Sequence, residues 1–119
     1  MSRKGTKVKD KNPAWKGYKD VPGKVFSKLK RDALRRDLSF EITIEDIYNQ
    51  YEKQHKTCAL SGLGISFDKD ASVDRIDSRF GYSVDNIQIV HKVLNMLKKD
   101  TPDEEFIEWC CLVAKHSGV

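Results

Sequence analysis

The chain has 119 residues, of which 39% are hydrophobic, and this length suits a single domain with one modest core. No apolar run approaches the ~18 residues of a membrane span, and no apolar signal segment follows the basic N-terminus, so neither membrane insertion nor export is expected. Three cysteines, two of them adjacent, make a poor disulfide framework and favour a reduced, cytoplasmic protein.

The net charge of +4 hides a strong asymmetry along the chain. Residues 1–36 carry 13 Lys/Arg and three Asp, a net of +10, whereas residues 37–119 carry a net of −6. A basic leading segment is typical of an arm that binds a polyanion, because its contacts to phosphates release condensed counterions. A solvated tail that only aids solubility is the alternative. We divide the chain into a basic, partly flexible arm, 1–23, and a single domain, 24–119.

The first half of the domain contains two predicted helices. A basic amphipathic helix is expected over residues 24–37, with its apolar side on the core. The alternation at 39–42 predicts a short strand. A second helix follows Thr43, which has Asp46 three residues on in the position of a capping-box acid. A brief strand is expected at 65–67.

The second half reads as strand, loop, strand and helix, followed by a further helix. The strands are predicted near 72–76 and 86–89, joined by the loop 77–85, and the helix over about 90–99. A final helix opens after Thr101. The apolar residues that these two helices are expected to bury are Val90, Val93, Leu94, Leu97, Phe106, Ile107, Trp109, Cys110 and Val113.

The strongest functional signal lies in a set of polar residues along this unit. They are Ser72-Val73-Asp74-Arg75-Ile76-Asp77, then Gly81-Tyr82, Asn86, His91, Asn95 and Lys98. In type and order they resemble the ββα-metal module of the HNH nucleases, over residues 58–99. The resemblance implies an α+β fold, with an HNH-like module at about 72–99, flanking helices and the basic arm. It also implies a metal-dependent endonuclease that hydrolyses phosphodiester bonds, of the compact type that phages and mobile elements carry, in the cytoplasm of a bacterium or a phage-infected host.

The resemblance further implies a site for a divalent metal. Asp74 closes the first strand, and Asn95, 21 positions later, lies at the distance of the helix ligand in the family. These two residues are expected to hold Mg²⁺, with Mn²⁺ tolerated. Asn86 matches the asparagine that pins the catalytic loop and is counted among the catalytic residues.

A structural zinc site is not expected. Many HNH proteins hold zinc with two pairs of cysteines around this module. The matching positions are Cys58, Ser61, His91 and Leu94. Only two of the four can bind zinc, whereas a structural zinc needs four ligands.

Arg75 stands where the family has its general-base histidine. An arginine has no lone pair with which to accept a proton, but it suits a bidentate grip on the scissile phosphate. We therefore expect Arg75 to bind phosphate. His91, on the same predicted helix face as Asn95, is the favoured base. His55 and Tyr82 are alternatives, as is activation of water by the metal alone.

DNA contacts are expected from basic residues of the arm, the first helix and the module. They are Lys16, Lys28, Arg31, Arg35 and Lys98. Duplex DNA is the expected partner, RNA is left open because basic residues bind the phosphates of either polymer, and the oligomeric state is not predicted. Arg75 also supports an alternative, a catalytically inactive DNA-binding protein on an HNH scaffold.

Overall fold

The structure is a computed structural model, and it describes residues 16–119. Within this range four helices and a two-stranded antiparallel sheet form an α+β fold, which confirms the predicted class. In chain order the elements are α1 (Gly23–Arg35), α2 (Ile44–Lys53), β1 (Ala71–Arg75), a 3₁₀ turn (Val84–Asn86), β2 (Ile87–His91), α3 (Lys92–Lys98) and α4 (Asp103–His116). The first 15 residues of the predicted basic arm lie outside the described residues. No helix in 16–119 is long and apolar enough to cross a lipid bilayer.

Both predicted helices of the first half are present. α1 buries Ala33, with Val25, Phe26 and Leu29 packed against the core, but Leu34 is exposed. Its remaining surface is rich in Lys and Arg. This arrangement leaves a basic helix face available to solvent on one side of the domain.

α2 begins with the predicted capping box. The Thr43 Oγ1 accepts a hydrogen bond from the Asp46 backbone N–H at 3.1 Å, and the Asp46 carboxylate accepts one from the Thr43 N–H at 2.8 Å. Two backbone donors at the helix start are thereby satisfied. The helix buries Ile47 and Tyr51, and the Tyr51 hydroxyl donates to the Ile65 carbonyl at 2.6 Å.

The sheet fixes which side chains of β1 and β2 stand opposite each other. The strands are antiparallel, with Val73 paired to Ile89 and Asp74 paired to Gln88. Ile89 and Val90 are fully buried and contribute to the core. Because α3 starts directly after His91, its first turn is held against the end of the sheet.

The two short strands predicted at 39–42 and 65–67 are not formed. Phe40 makes one isolated parallel bridge to Tyr82, and residues 65–67 follow a single bridge between Thr57 and Gly64. An alternating pattern predicts a strand only where a partner strand runs alongside, and here each segment meets its partner at one point.

Several apolar residues that were expected to be buried are exposed. In α3, Leu94 packs against the core, whereas Val93 and Leu97 are exposed. None of the 14 residues of α4 is buried within the described chain, and Trp109 and Val113 are largely open to solvent. α3 has only seven residues and offers the core one side, and α4 has few neighbours in the described chain. The predicted burial of Val93, Leu97, Ile107, Trp109, Cys110 and Val113 is therefore wrong.

Gly81 brings the loop 77–85 onto the backbone of Ser39. A Cβ at position 81 would lie 2.5 Å from the Ser39 carbonyl oxygen and 2.9 Å from its nitrogen. We expect Gly81→Ala to lower the free energy of unfolding by about 1–3 kcal/mol, since the loop must move away. Urea denaturation measures this loss. Gly64→Ala is the matched control, because nothing lies within 4 Å of the added Cβ. Equal losses in the two variants would contradict the close approach.

Candidate active site

A cleft of about 440 Å³ opens between α1, β1 and the C-terminal end of α3. It contains Asp74 and Asn95, the two predicted metal ligands, together with Arg75. The other polar residues that line it are Lys28, Asp32, Arg36, Ser72, Ser78, Tyr82, Lys99 and Asp100. The strand pairing and the short α3 thus bring residues 21 positions apart in sequence to one place.

Asp74 forms the buried floor of the cleft. Only 5% of the residue is exposed, and its Oδ2 accepts hydrogen bonds from the Lys98 Nζ at 2.6 Å and from the Gln88 Nε2 at 2.9 Å. Burial raises the pKa of the Asp74 carboxyl, and these two donors offset that effect only in part. Its Oδ1 accepts no hydrogen bond from any described residue, so one carboxylate oxygen is fixed and the other is unpaired.

Lys98 is a core residue, contrary to the prediction that it contacts DNA. It is 1% exposed, and its ammonium lies between Asp74 and Asp103, 2.7 Å from the Asp103 Oδ1. A third bond reaches the Arg75 carbonyl at 2.7 Å, so all three donors are used. Gln88 also donates to Asp103, at 2.8 Å. We call these four side chains (Asp74, Gln88, Lys98 and Asp103) the buried charge cluster.

Asn95 lies on the side of α3 that faces the cleft. Its Nδ2 donates to the Ser72 Oγ at 2.6 Å, and its side-chain Oδ1 accepts no hydrogen bond from the described residues. Asp74 and Asn95 line the same cleft, and each has one side-chain oxygen that accepts no hydrogen bond from the described residues. This set fits Mg²⁺, which usually takes one or two protein oxygens and completes its shell with water and phosphate. Residues 16–119 contain no cluster of three or more His, Cys, Asp or Glu suited to a metal.

Arg75 holds the loop that follows β1. Its Nη1 donates to the carbonyls of Ser78 and Phe80, at 2.8 Å each, and its guanidinium lies 5.6 Å from the Tyr82 ring centroid. The other terminal nitrogen, Nη2, lies 3.7 Å from Asp100 in the cleft. Arg75 thus uses part of its guanidinium to donate hydrogen bonds to backbone carbonyls, a structural role that the sequence did not indicate.

Asn86 pins the same loop from its other end. Its Oδ1 accepts from the Asp77 N–H at 2.9 Å, and its Nδ2 donates to the carbonyls of Asp77 at 3.0 Å and Gly81 at 2.9 Å. All three bonds stay within the loop and its flanks. Asn86 does not line the cleft, so its contribution to the site is through the shape of the loop.

The candidate bases are not gathered at the cleft. His91 caps α3 by accepting from the Val93 N–H at 3.1 Å, and its Nε2 lies 3.7 Å from Asp70. It precedes α3 and does not line the cleft with Asn95, contrary to the prediction that the two residues share a helix face. His55, exposed just beyond α2, also lies away from the cleft. Tyr82 lines the cleft, but burial raises the pKa of its hydroxyl, which makes it a poor base near neutral pH.

Cys58, at the first of the positions compared with a zinc site, is buried. Its sulfur accepts backbone hydrogen bonds from Ser61 at 3.4 Å and from His91 at 3.2 Å. Burial raises the pKa of the thiol, but the hydrogen bonds outweigh burial and leave this pKa below its usual value. The sulfur joins the turn at 58–62 to the start of α3.

The basic residues expected to bind DNA divide into two groups. Lys28 lines the cleft, whereas Arg31 and Arg35 lie on the exposed surface of α1 outside it. Lys28 and Arg35 both pair with Asp32, at 3.2 and 2.7 Å. Lys16 is exposed at the start of the described chain.

The cleft also contains two basic residues that sequence reasoning missed, Arg36 and Lys99. Arg36 follows the last residue of α1, and Lys99 follows the last residue of α3 with a φ of 50°. In the sequence, the one indication of a role for them is that each directly follows a residue predicted to bind DNA, Arg35 or Lys98. Comparison with models of protein families, with curated proteins and with solved structures gives no match. The function must therefore be argued from the cleft.

Proposed function

We propose that this chain is a metal-dependent DNA endonuclease of the HNH type and that the cleft is its active site. The observation that carries the proposal is the shared position of Asp74, Asn95 and three basic side chains, those of Lys28, Arg36 and Lys99. The order of β1, β2 and α3, an antiparallel pair followed directly by a helix, supports assignment of these elements to a ββα-metal module.

Asp74 and Asn95 would hold a divalent cation through their unpaired oxygens. We expect Mg²⁺, with Mn²⁺ tolerated. A cation bound there would neutralise charge on the phosphate and on the departing oxygen. The buried charge cluster assists by fixing the Asp74 carboxylate, since the Asp74 Oδ2 is held by both Lys98 and Gln88.

The basic residues of the cleft would bind the nucleic acid itself. Lys28 lies on α1, Arg36 directly follows α1 and Lys99 directly follows α3, so basic side chains border the cleft on two sides. Contacts of this kind position the backbone and carry no sequence information. The Arg75 Nη2, which lies 3.7 Å from the Asp100 carboxylate in the cleft, would contact the scissile phosphate.

An inactive DNA-binding protein is the second candidate, and one observation favours it. The Lys98 ammonium already lies 2.6 Å from Asp74 and supplies positive charge where a cation would otherwise do so. Such a protein would keep the basic border of the cleft and would bind duplex DNA without hydrolysis.

Supercoiled plasmid incubated with the purified protein and Mg²⁺ or Mn²⁺ tests the proposal. We expect conversion to nicked or linear DNA that EDTA abolishes. Lys99→Ala should weaken DNA binding and reduce the slope of log affinity against log salt by about 0.9, because one phosphate contact is lost. Lys92→Ala is the matched control, as Lys92 is exposed on α3 outside the cleft.

Binding without cleavage in either metal would support the inactive alternative. If the protein cleaves single-stranded RNA in preference to plasmid, RNA replaces DNA as the proposed substrate. A protein that neither binds nor cleaves DNA or RNA would contradict both candidates.

A further inference from the structure

α4 carries more apolar surface than the described chain covers. Eight of its 14 residues are apolar, yet none is buried. Trp109 is 60% exposed, Leu112 52% and Val113 64%. Helices that are apolar on most sides are normally buried, and a contiguous apolar patch on a surface marks an interaction site.

Among the exposed residues of α4, four form a stripe on its outer side. On the inner side, Phe106 and Ala114 are half-buried and approach Leu60 and Leu94 of the domain. The stripe consists of Glu105, Trp109, Leu112 and His116, with Val113 beside it. Its members are spaced four, three and four residues apart, which is the spacing of a coiled-coil seam.

We propose that this outer stripe pairs with the same stripe of a second copy of the chain, with the two α4 helices antiparallel about a two-fold axis. The axis would pass between Cys110 and Cys111. In this register each Trp109 packs against Leu112 of the other copy, and each Glu105 stands opposite His116. A two-fold interface requires a self-complementary surface, and the stripe has this property.

The charges on α4 select a second copy in antiparallel orientation. The acids Glu104, Glu105 and Glu108 lie in the first half of the helix, and Lys115 and His116 lie in its last turn. A parallel pair would place acid beside acid. In the antiparallel pair, Lys115 of one copy lies between Glu104 and Glu108 of the other, and the two helix dipoles are opposed.

The same charges disfavour other occupants. Glu104, Glu105 and Glu108 border Trp109 and Leu112, so the patch would repel nucleic acid and an anionic membrane surface. The interface is one helix from each copy, and we expect a dissociation constant on the order of micromolar. Dimerisation through α4 is independent of what the cleft does.

Sedimentation equilibrium of the full chain, over a range of concentrations, tests the pairing. We expect a monomer–dimer equilibrium that Leu112→Gln weakens by at least about tenfold, the equivalent of ~1.4 kcal/mol. Leu63→Gln is the matched control, since Leu63 is also more than half exposed but lies outside α4. Circular dichroism confirms that each variant is folded.

A charge exchange tests the orientation. Lys115→Glu alone should weaken the dimer, because it sets a glutamate against both Glu104 and Glu108 of the other copy, and adding Glu108→Lys should recover part of that loss. A chain that stays monomeric at all concentrations would overturn the proposal. So would a dimer that Leu112→Gln leaves unchanged, or a double variant that is no tighter than Lys115→Glu alone.

Discussion

Replacing Lys98 with methionine is expected to lower the free energy of unfolding by about 3–5 kcal/mol, because the change leaves buried acids without their cation. The ammonium is 2.6 Å from Asp74 and 2.7 Å from Asp103, and its side chain is fully buried. Methionine fills similar space, so packing is largely kept and the loss reports the charge. Urea denaturation near neutral pH measures it.

The loss in Lys98→Met should shrink as the pH falls. Burial already raises the pKa of the Asp74 carboxyl, and Lys98→Met removes the hydrogen-bonded ammonium that lowers this pKa. The folded variant therefore takes up a proton at a pH where the unfolded chain does not. Stability then rises as the pH is lowered through that range. Lys99→Met is the matched control, because Lys99 is exposed beside it. Equal losses at positions 98 and 99 would contradict the burial of Lys98.

Under the proposed function, Asp74→Asn should reduce metal-dependent cleavage by about 10³-fold or more, which corresponds to several kcal/mol of lost charge stabilisation. Asparagine is preferred to alanine, because Asp74 is a buried residue whose oxygen accepts from Lys98 and Gln88. An amide oxygen can still accept these bonds, so the fold should survive. The plasmid assay gives the activity and a melting curve gives the stability.

Asp100→Asn provides the control for Asp74→Asn. Asp100 lines the same cleft but is exposed and pairs with Arg36 at its border. We expect it to change cleavage only a few-fold. If Asp74→Asn cuts as fast as the unaltered protein, Asp74 is not a metal ligand. If the two variants fall equally, the loss reflects the charge of the cleft as a whole.

The sequence predicted those features that depend on local chemistry. The Thr43–Asp46 capping box located the start of α2, because both of its hydrogen bonds form within one turn. The capping box needs no knowledge of what packs against it. The convergence of Asp74 and Asn95 was implied by the resemblance to the HNH module, and both residues line the cleft.

The predictions that were wrong concern features that depend on residues distant in the sequence. Helical periodicity places Asn95 and Lys98 on neighbouring sides of α3, but it does not reveal that Asp103 lies across from Lys98. The acid that makes Lys98 a core residue belongs to the next helix. Similarly, the prediction that His91 and Asn95 share a helix face was wrong, because α3 begins only after His91.

The buried charge cluster fastens the start of α4 to the sheet, as a disulfide or a metal would in other small domains. Lys98 and Gln88 each reach both Asp74 on β1 and Asp103 at the first residue of α4. The stretch from 74 to 103 is thereby closed into a ring by ionic contacts. A fragment ending at Asp100 would retain every residue that lines the cleft, yet it would lack one of the two acids that hold Lys98 in place. We therefore expect removal of α4 to destabilise the cleft.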